Sequence, residues 1–277
     1  MKRILTIQDI SCLGKCSLTV ALPVISAMGV EAAIIPTAVL STHTMFQNFT
    51  YRDLTNDILP IVEHWKHEGM TFDAVYTGYL GSNEQVDIMI EIMNTLGAGR
   101  VKVVDPAMAD TGKLYPGFDM DFVKKCRELC GCADIVVPNI TEASLLTGMD
   151  YKETYDEAYI QALLKAMAAL GAQKVVLTGV TYESDKIGAA VYDSETGAFF
   201  QHFTNRLPVA YHGTGDIYAS TLTGALMRGF DVEQSAAIAA DFTAETIRLT
   251  MENPDRRTYG VDFESALPYL WKLLQEK

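Results

Sequence analysis

Val101-Lys102-Val103-Val104-Asp105-Pro106 is a short β-branched run that stops on an acid and a proline, and Ile135-Val136-Val137-Pro138-Asn139 repeats the pattern further on. Between them, Asp121–Cys130 carries apolar side chains at helical spacing. Two strands that are apolar at consecutive positions, joined by a helix, read as a parallel pair buried on both faces. The same alternation extends in both directions. Strands are expected near Ile4–Gln8, Ala32–Thr37, Ala74–Thr77 and Lys174–Thr178, with helices near Cys16–Met28, Leu54–Glu68, Glu84–Leu96 and Asp156–Leu170. Two more strands, Gly188–Asp193 and Ala198–Thr204, flank Ser194-Glu195-Thr196-Gly197, a hairpin-like connection that predicts an antiparallel edge. The last third reads as helices over Ile217–Arg228, Val232–Leu249 and Phe263–Leu274, with Gly229 stopping the first. The expected class is α/β, a mostly parallel central sheet covered on both faces. No linker or repeat marks a boundary, so one domain over residues 1–277 is expected.

The strand ends carry the functional signal. Ile4-Leu5-Thr6-Ile7 gives way to Gln8-Asp9, Ala74-Val75-Tyr76 to Thr77-Gly78-Tyr79, and Val175-Val176-Leu177 to Thr178-Gly179. With Asp105-Pro106 and Pro138-Asn139, five such ends lie along one edge of a parallel sheet, where ligands bind in open α/β folds. Any one of them is an ordinary way to stop a strand. Together they point to a site.

Gly213-Thr214-Gly215-Asp216 then runs into the apolar helical stretch Ile217-Tyr218-Ala219-Ser220-Thr221-Leu222. Small residues at a helix start leave first-turn N–H groups open, which makes an anion site. Asp216 reads either as an acid answering the helix dipole or as a base that takes a proton from an alcohol while a phosphoryl group arrives from a nucleotide. Gly213, Thr214 and Gly215 would cradle the charge on the transferred group. Asp105, Asn139 and Glu142 make an oxygen-rich set suited to hydrated Mg²⁺, with Asp105 and Glu142 holding it through water. Glu142 also reads as a plain helix-start acid. His64 and His67 share a helical face among charged residues and read as solvated, while Cys126 and Cys130 read as small inward-packing hydrophobes. A P-loop and a dinucleotide G-x-G-x-x-G after the first strand are both absent.

Composition narrows the partners. The 277 residues carry 22 basic and 35 acidic side chains, a formal net charge of −13, which argues against nucleic acid or an anionic membrane as partner. No uninterrupted apolar run of spanning length occurs, and the N-terminus shows no signal-peptide pattern. Five cysteines at uneven spacing do not read as a disulfide framework, so a cytoplasmic address is expected and Asn48-Phe49-Thr50 and Asn139-Ile140-Thr141 carry no glycosylation meaning.

Ile7-Gln8, Ser41-Thr42-His43-Thr44, Thr77-Gly78-Tyr79, Asp105-Pro106, Pro138-Asn139 with Glu142, and Gly213-Thr214-Gly215-Asp216 together resemble the ribokinase superfamily, and within it the pyridoxal kinase branch. The resemblance spans essentially the whole chain. It implies a three-layer α/β/α ribokinase-like fold and phosphorylation by ATP of the hydroxymethyl group of a vitamin B6 vitamer. Asp216 is then the base. Asp9, Ser11, Thr44 and Tyr79 are the substrate side, and Asp105, Asn139, Glu142 and Thr178 serve ATP and Mg²⁺. A monovalent cation and a homodimer are further expectations of the branch. Where that branch commonly carries Ser after Ile-Gln, this chain has Asp9, and Met45 follows His43-Thr44 where a smaller or polar residue is usual. Hydroxymethylpyrimidine kinase activity on the same scaffold is the alternative, and a non-catalytic vitamer binder the reading from another class.

Overall fold

A computed structural model describes residues 1–275. The chain begins with β1 (Arg3–Leu13), α1 (Leu18–Ala27), β2 (Glu31–Thr42), β3 (Tyr51–Asp53), α2 (Thr55–His67), β4 (Ala74–Thr77) and α3 (Asn83–Asn94). It continues through β5 (Val101–Val104), a two-stranded ribbon of β6 (Ala109–Asp110) and β7 (Lys113–Leu114), α4 (Met120–Gly131), β8 (Ile135–Val136), α5 (Ile140–Thr147) and α6 (Glu157–Ala168). The final part holds β9 (Lys174–Val180), β10 (Lys186–Asp193), β11 (Phe199–Asn205), α7 (Thr214–Met227), α8 (Val232–Glu252) and α9 (Phe263–Leu273).

Nine strands form one sheet in the order β11-β10-β9-β8-β5-β4-β1-β2-β3. The pairs from β2 through β1, β4, β5 and β8 to β9 are parallel, and β10, β11 and β3 run antiparallel. Both edges are therefore antiparallel, one more than the hairpin predicted. Successive strand residues face opposite layers. Leu5, Val75, Val104 and Val175 pack with Ile58, Met89, Phe122 and Leu163 from α2, α3, α4 and α6. Ile4, Ala74, Val103 and Val176 pack on the other face with Ala21, Tyr218 and Ala239 from α1, α7 and α8. Helix α9 lies outside that layer, burying Phe263, Ala266 and Leu270 against α1, α7 and α8. The three-layer α/β/α arrangement follows.

After β1 the chain goes to β2 on one side and later returns to β4 on the other. The direction of winding reverses between β1 and β4, and in such sheets a crevice opens there beyond the strand ends. Four features were not expected from the sequence. β1 does not stop at Gln8: its register slips between Gln8 and Ile10, and pairing with β2 resumes as far as Leu13. β2 runs on past Thr37 to Thr42, and its Pro36 sits opposite Gln8. The ribbon β6–β7 and the eight-residue α5 are also additional. Cys126 and Cys130 are buried in the α4 layer, as expected, and His64 and His67 are exposed on α2.

Candidate active site

The strand ends converge as their endings suggested. Asp9 sits at the β1–β2 irregularity, 5% exposed, and its carboxylate accepts from Ser11 Oγ at 3.3 Å. A bulge at a strand end re-aims a side chain, and here it buries a carboxylate at the mouth of the crevice. Burial pushes Asp9 upward, while the hydroxyls of Ser17 and Ser11 oppose the shift. On the neighbouring strand, Gly78 is tight for steric reasons: a Cβ there would lie 2.8 Å from Gln8 Oε1. Tyr79 follows, half-buried, with its ring 5.6 Å from Phe118, and burial and the Asp9 charge both raise its phenol.

Asp105 N–H donates to Thr77 O at 2.9 Å, which fixes the residue directly after β5, and its side chain is buried. Burial pushes its carboxyl well up, and the charges of Glu142 and Asp216 add to this. Asn139 and Thr178 form a single β-bridge, with Thr178 N–H donating to Pro138 O at 2.9 Å. Asn139 is also the N-cap of α5. Its side chain accepts from Glu142 N–H at 3.0 Å, and Glu142 Oε2 accepts from Asn139 N–H at 2.9 Å. Glu142 Oε1 takes two more backbone donors, Met108 at 3.0 Å and Ala109 at 3.4 Å, while Asn139 Nδ2 donates to Ala109 O at 2.8 Å. Glu142 thus ties α5 to the loop after β5. Burial raises its carboxyl and these backbone donors pull it back.

The α7 terminus is built differently. Gly213 is its N-cap in the left-handed region, φ 83°, and a Cβ there would collide with the carbonyl oxygen of Lys15. Only glycine meets both conditions. Around Gly215, a Cβ would find nothing within 4 Å, so the backbone of this first turn is open to the crevice. Thr214 Oγ1 donates back to Tyr211 O at 3.2 Å. Asp216 is the third residue of α7, half-buried, and makes no capping contact. Burial pushes its carboxyl up to about 7, the backbone N–H of Ser17 lowers it, and the charge of Asp9 raises it.

On the substrate side, Ser11 is brought to Asp9, while Thr44 and Met45 are exposed on the loop after β2. The buried member of that motif is His43. Its Nδ1 accepts from Met45 N–H at 3.3 Å, so Nε2 carries the proton and donates to Tyr259 O at 2.9 Å. Its ring lies 4.6 Å from His212, the residue before Gly213, and burial pushes His212 down to about 4. Sequence reading used His43 only as part of a motif, with no role of its own, and did not single out His212. The signal was adjacency, since each directly neighbours a residue already chosen. Among the described residues, no group of three or more His, Cys, Asp or Glu could hold a metal ion.

This reversing parallel sheet, with a glycine turn feeding an acid-bearing helix across its crevice, is a ribokinase-like α/β fold. Residues 20–260 match the family described as phosphomethylpyrimidine kinase, and the chain belongs to that family. A Bacteroides thetaiotaomicron protein, provisionally described as a phosphomethylpyrimidine kinase and crystallised with pyridoxal, superposes with a TM-score of 0.92 at 34% identity, over 97% of this chain and 95% of that one. Pyridoxal kinase from Lactobacillus plantarum gives a TM-score of 0.88 at 34% identity, over 99% and 98% of the two chains. Pyridoxal kinase of Arabidopsis thaliana is 27% identical over 266 residues, 93% of this chain and 85% of its own. Among the described residues no helix is long and apolar enough to cross a membrane.

Proposed function

We propose that this chain is an ATP-dependent kinase that phosphorylates the hydroxymethyl group of a vitamin B6 vitamer: pyridoxal, pyridoxamine or pyridoxine. One observation carries the reading. Asp216 sits at the third position of a helix whose glycine start leaves its backbone open, yet its carboxylate is not used as a cap. Phosphoryl transfer asks for a cradle, a metal ion and a base in line with the nucleophile, and little covalent chemistry from the protein.

Asp216 takes the proton of the hydroxymethyl group as the oxygen bonds to the γ-phosphorus, and the bond from that phosphorus to the β-γ bridging oxygen breaks to release ADP. Its carboxyl, raised to about 7, suits a base working near neutral pH. Gly213, Thr214 and Gly215 offer N–H groups to the charge on the transferring group, each such donor contributing about 3–4 kcal/mol. Asp9, Ser11, Thr44 and Tyr79 face the ring, and Asp105, Asn139, Glu142 and Thr178 face the nucleotide. The charges of Glu142 and Asp216 add to burial in raising Asp105, a concentration of negative charge that favours a divalent cation nearby. Asp105 and Glu142 would hold hydrated Mg²⁺, which neutralises charge on the β and γ phosphates.

The pyridoxal-bound and pyridoxal kinase relatives above support the vitamer. The family's own description favours a second reading, hydroxymethylpyrimidine or its phosphate as acceptor. Purified protein with MgATP and each vitamer or pyrimidine in turn separates the two, and faster turnover of the pyrimidine would reverse the order. Vitamer binding without ATP consumption would instead establish a carrier. A homodimer, a stimulating monovalent cation and a cytoplasmic address, the last in keeping with five free cysteines, complete the proposal. Mass in solution and turnover with and without potassium test the first two.

A further inference from the structure

Helix α7 starts without a capping side chain: Gly213 has none to offer, and the Thr214 hydroxyl turns back to Tyr211 O at 3.2 Å. What seats this turn is the loop after β1. A Cβ at Gly213 would collide with Lys15 O, so the two backbones lie in direct contact. The carbonyls on either side of Lys15 are braced by the first turn of α1, where the Thr19 hydroxyl donates to Cys16 O at 2.7 Å and lies 3.2 Å from Gly14 O. The Lys15 side chain reaches the start of α9. Its stem lies against Gly260, where a Cβ would collide with it, and its ammonium pairs with Glu264 and lies 5.0 Å from the Phe263 ring. That start is itself fixed to α8. Asp262 N–H donates to Thr250 Oγ1 at 2.8 Å, Asn253 Nδ2 donates to Asp262 Oδ2 at 2.7 Å, and Phe263 is buried. With only 17% of its side chain exposed, Lys15 is held at both ends.

We propose that Lys15 is a positioning residue of the phosphate cradle, its side chain clasped by the start of α9 and its carbonyl seating the start of α7. The amides of Thr214 and Gly215 come directly after the contact, so a displacement of Lys15 moves them. Such donors stabilise developing charge only when they are preorganised where the transferring group passes. Lys15 acts on them through Gly213, because its ammonium is committed to Glu264 and the Phe263 ring. The seating follows from geometry alone; its consequence for turnover rests on the kinase reading.

Three variants test the clasp. Lys15→Met keeps the stem and removes the charge, Glu264→Ala removes the partner at an exposed position, and Lys15→Arg keeps both the charge and the ring contact. In the ligand-free protein, hydrogen exchange reads the Ile217 amide, which closes the first turn of α7 on Gly213 O at 3.1 Å. Exchange there should be several-fold faster in Lys15→Met and Glu264→Ala and unchanged in Lys15→Arg. The Ser235 amide donates to Asp231 O at 2.9 Å at the side-chain-capped start of α8, and it should keep its rate in all three, which general loosening would not allow. With MgATP and pyridoxal, the first two variants should lose about two- to fivefold in kcat, the strength of one partly exposed ion pair, at unchanged KM for pyridoxal. An unmoved Ile217 rate in Glu264→Ala, equal acceleration at Ile217 and Ser235, or an unchanged kcat in both variants overturns the proposal. Absence of pyridoxal turnover in the unaltered protein counts against the kinase reading alone, because exchange still decides the role of Lys15.

Discussion

Asp216 and Glu142 occupy the same position, third residue of a helix that begins at the ligand-facing edge of the sheet, and burial raises both. Their surroundings differ. Glu142 closes a capping box with Asn139 and takes two further amides from the loop after β5, so its oxygens are committed to backbone. Asp216 follows a glycine that has no side chain to cap with, and the backbone of Ser17 draws its carboxyl down. Where the cap is a side chain that answers it, a first-turn acid is tied to the backbone and can meet an ion only through water; where the cap is glycine, the acid stays uncommitted to its helix.

The comparison can be broken at several strengths. Asp216→Asn should cost a hundred- to ten-thousand-fold in kcat, the usual range for a general base, with the fold intact by circular dichroism; full turnover would falsify its role. Glu142→Ala leaves three amides without an acceptor and should lower stability by about 3 kcal/mol in urea melts, whereas Glu142→Gln keeps one acceptor oxygen and should lose about 1 kcal/mol. Equal losses from the two would mean that the backbone bonds are not what Glu142 supplies. Gly213→Ala, strained at φ 83° and pressed on Lys15, should cost about 2 kcal/mol or more and most of the activity.

A further effect is in pH. In the fold Asp216 keeps its proton up to about 7, while the unfolded chain releases it near 4. The native state therefore binds more protons across that window, and its stability falls as pH rises from about 4 to about 7. Asp216→Asn lacks this term. Its stability relative to the unaltered protein should improve steadily over the window and level off above it, as read by thermal melts in matched buffers. A constant difference would place the carboxyl at its ordinary value. In the active enzyme, kcat/KM should drop on the acid side with a midpoint about 7.

Most of the architecture was legible because strands covered on both faces are written in unbroken apolar runs, as at Val101–Val104 and Ala74–Thr77. The missing pieces have physical reasons. Asp9, Ser11 and Cys12 look like loop, and only the bulge lets polar residues stay in a strand. β2 was expected only as far as Thr37, whereas its pairing with β1 carries it to Thr42 through Ser41 and other residues that look like loop. Helix α5 has eight residues, almost all buried, so it shows no amphipathic period. The candidate site residues were chosen by chemistry and by place at strand ends, and the structure puts those ends along one edge of the sheet. The capping box around Glu142 was half visible in Asn139-Ile140-Thr141-Glu142, but the Met108 and Ala109 donors depend on tertiary folding. The positive φ of Ser17, 49°, was invisible, since a backbone torsion leaves no mark on composition.

Lys15 joins distant parts of the polypeptide: its carbonyl meets Gly213, its ammonium pairs with Glu264, and the same ammonium lies 5.0 Å from the Phe263 ring. The first loop is therefore fully packed only once the distant segments around residues 213 and 264 have folded onto it.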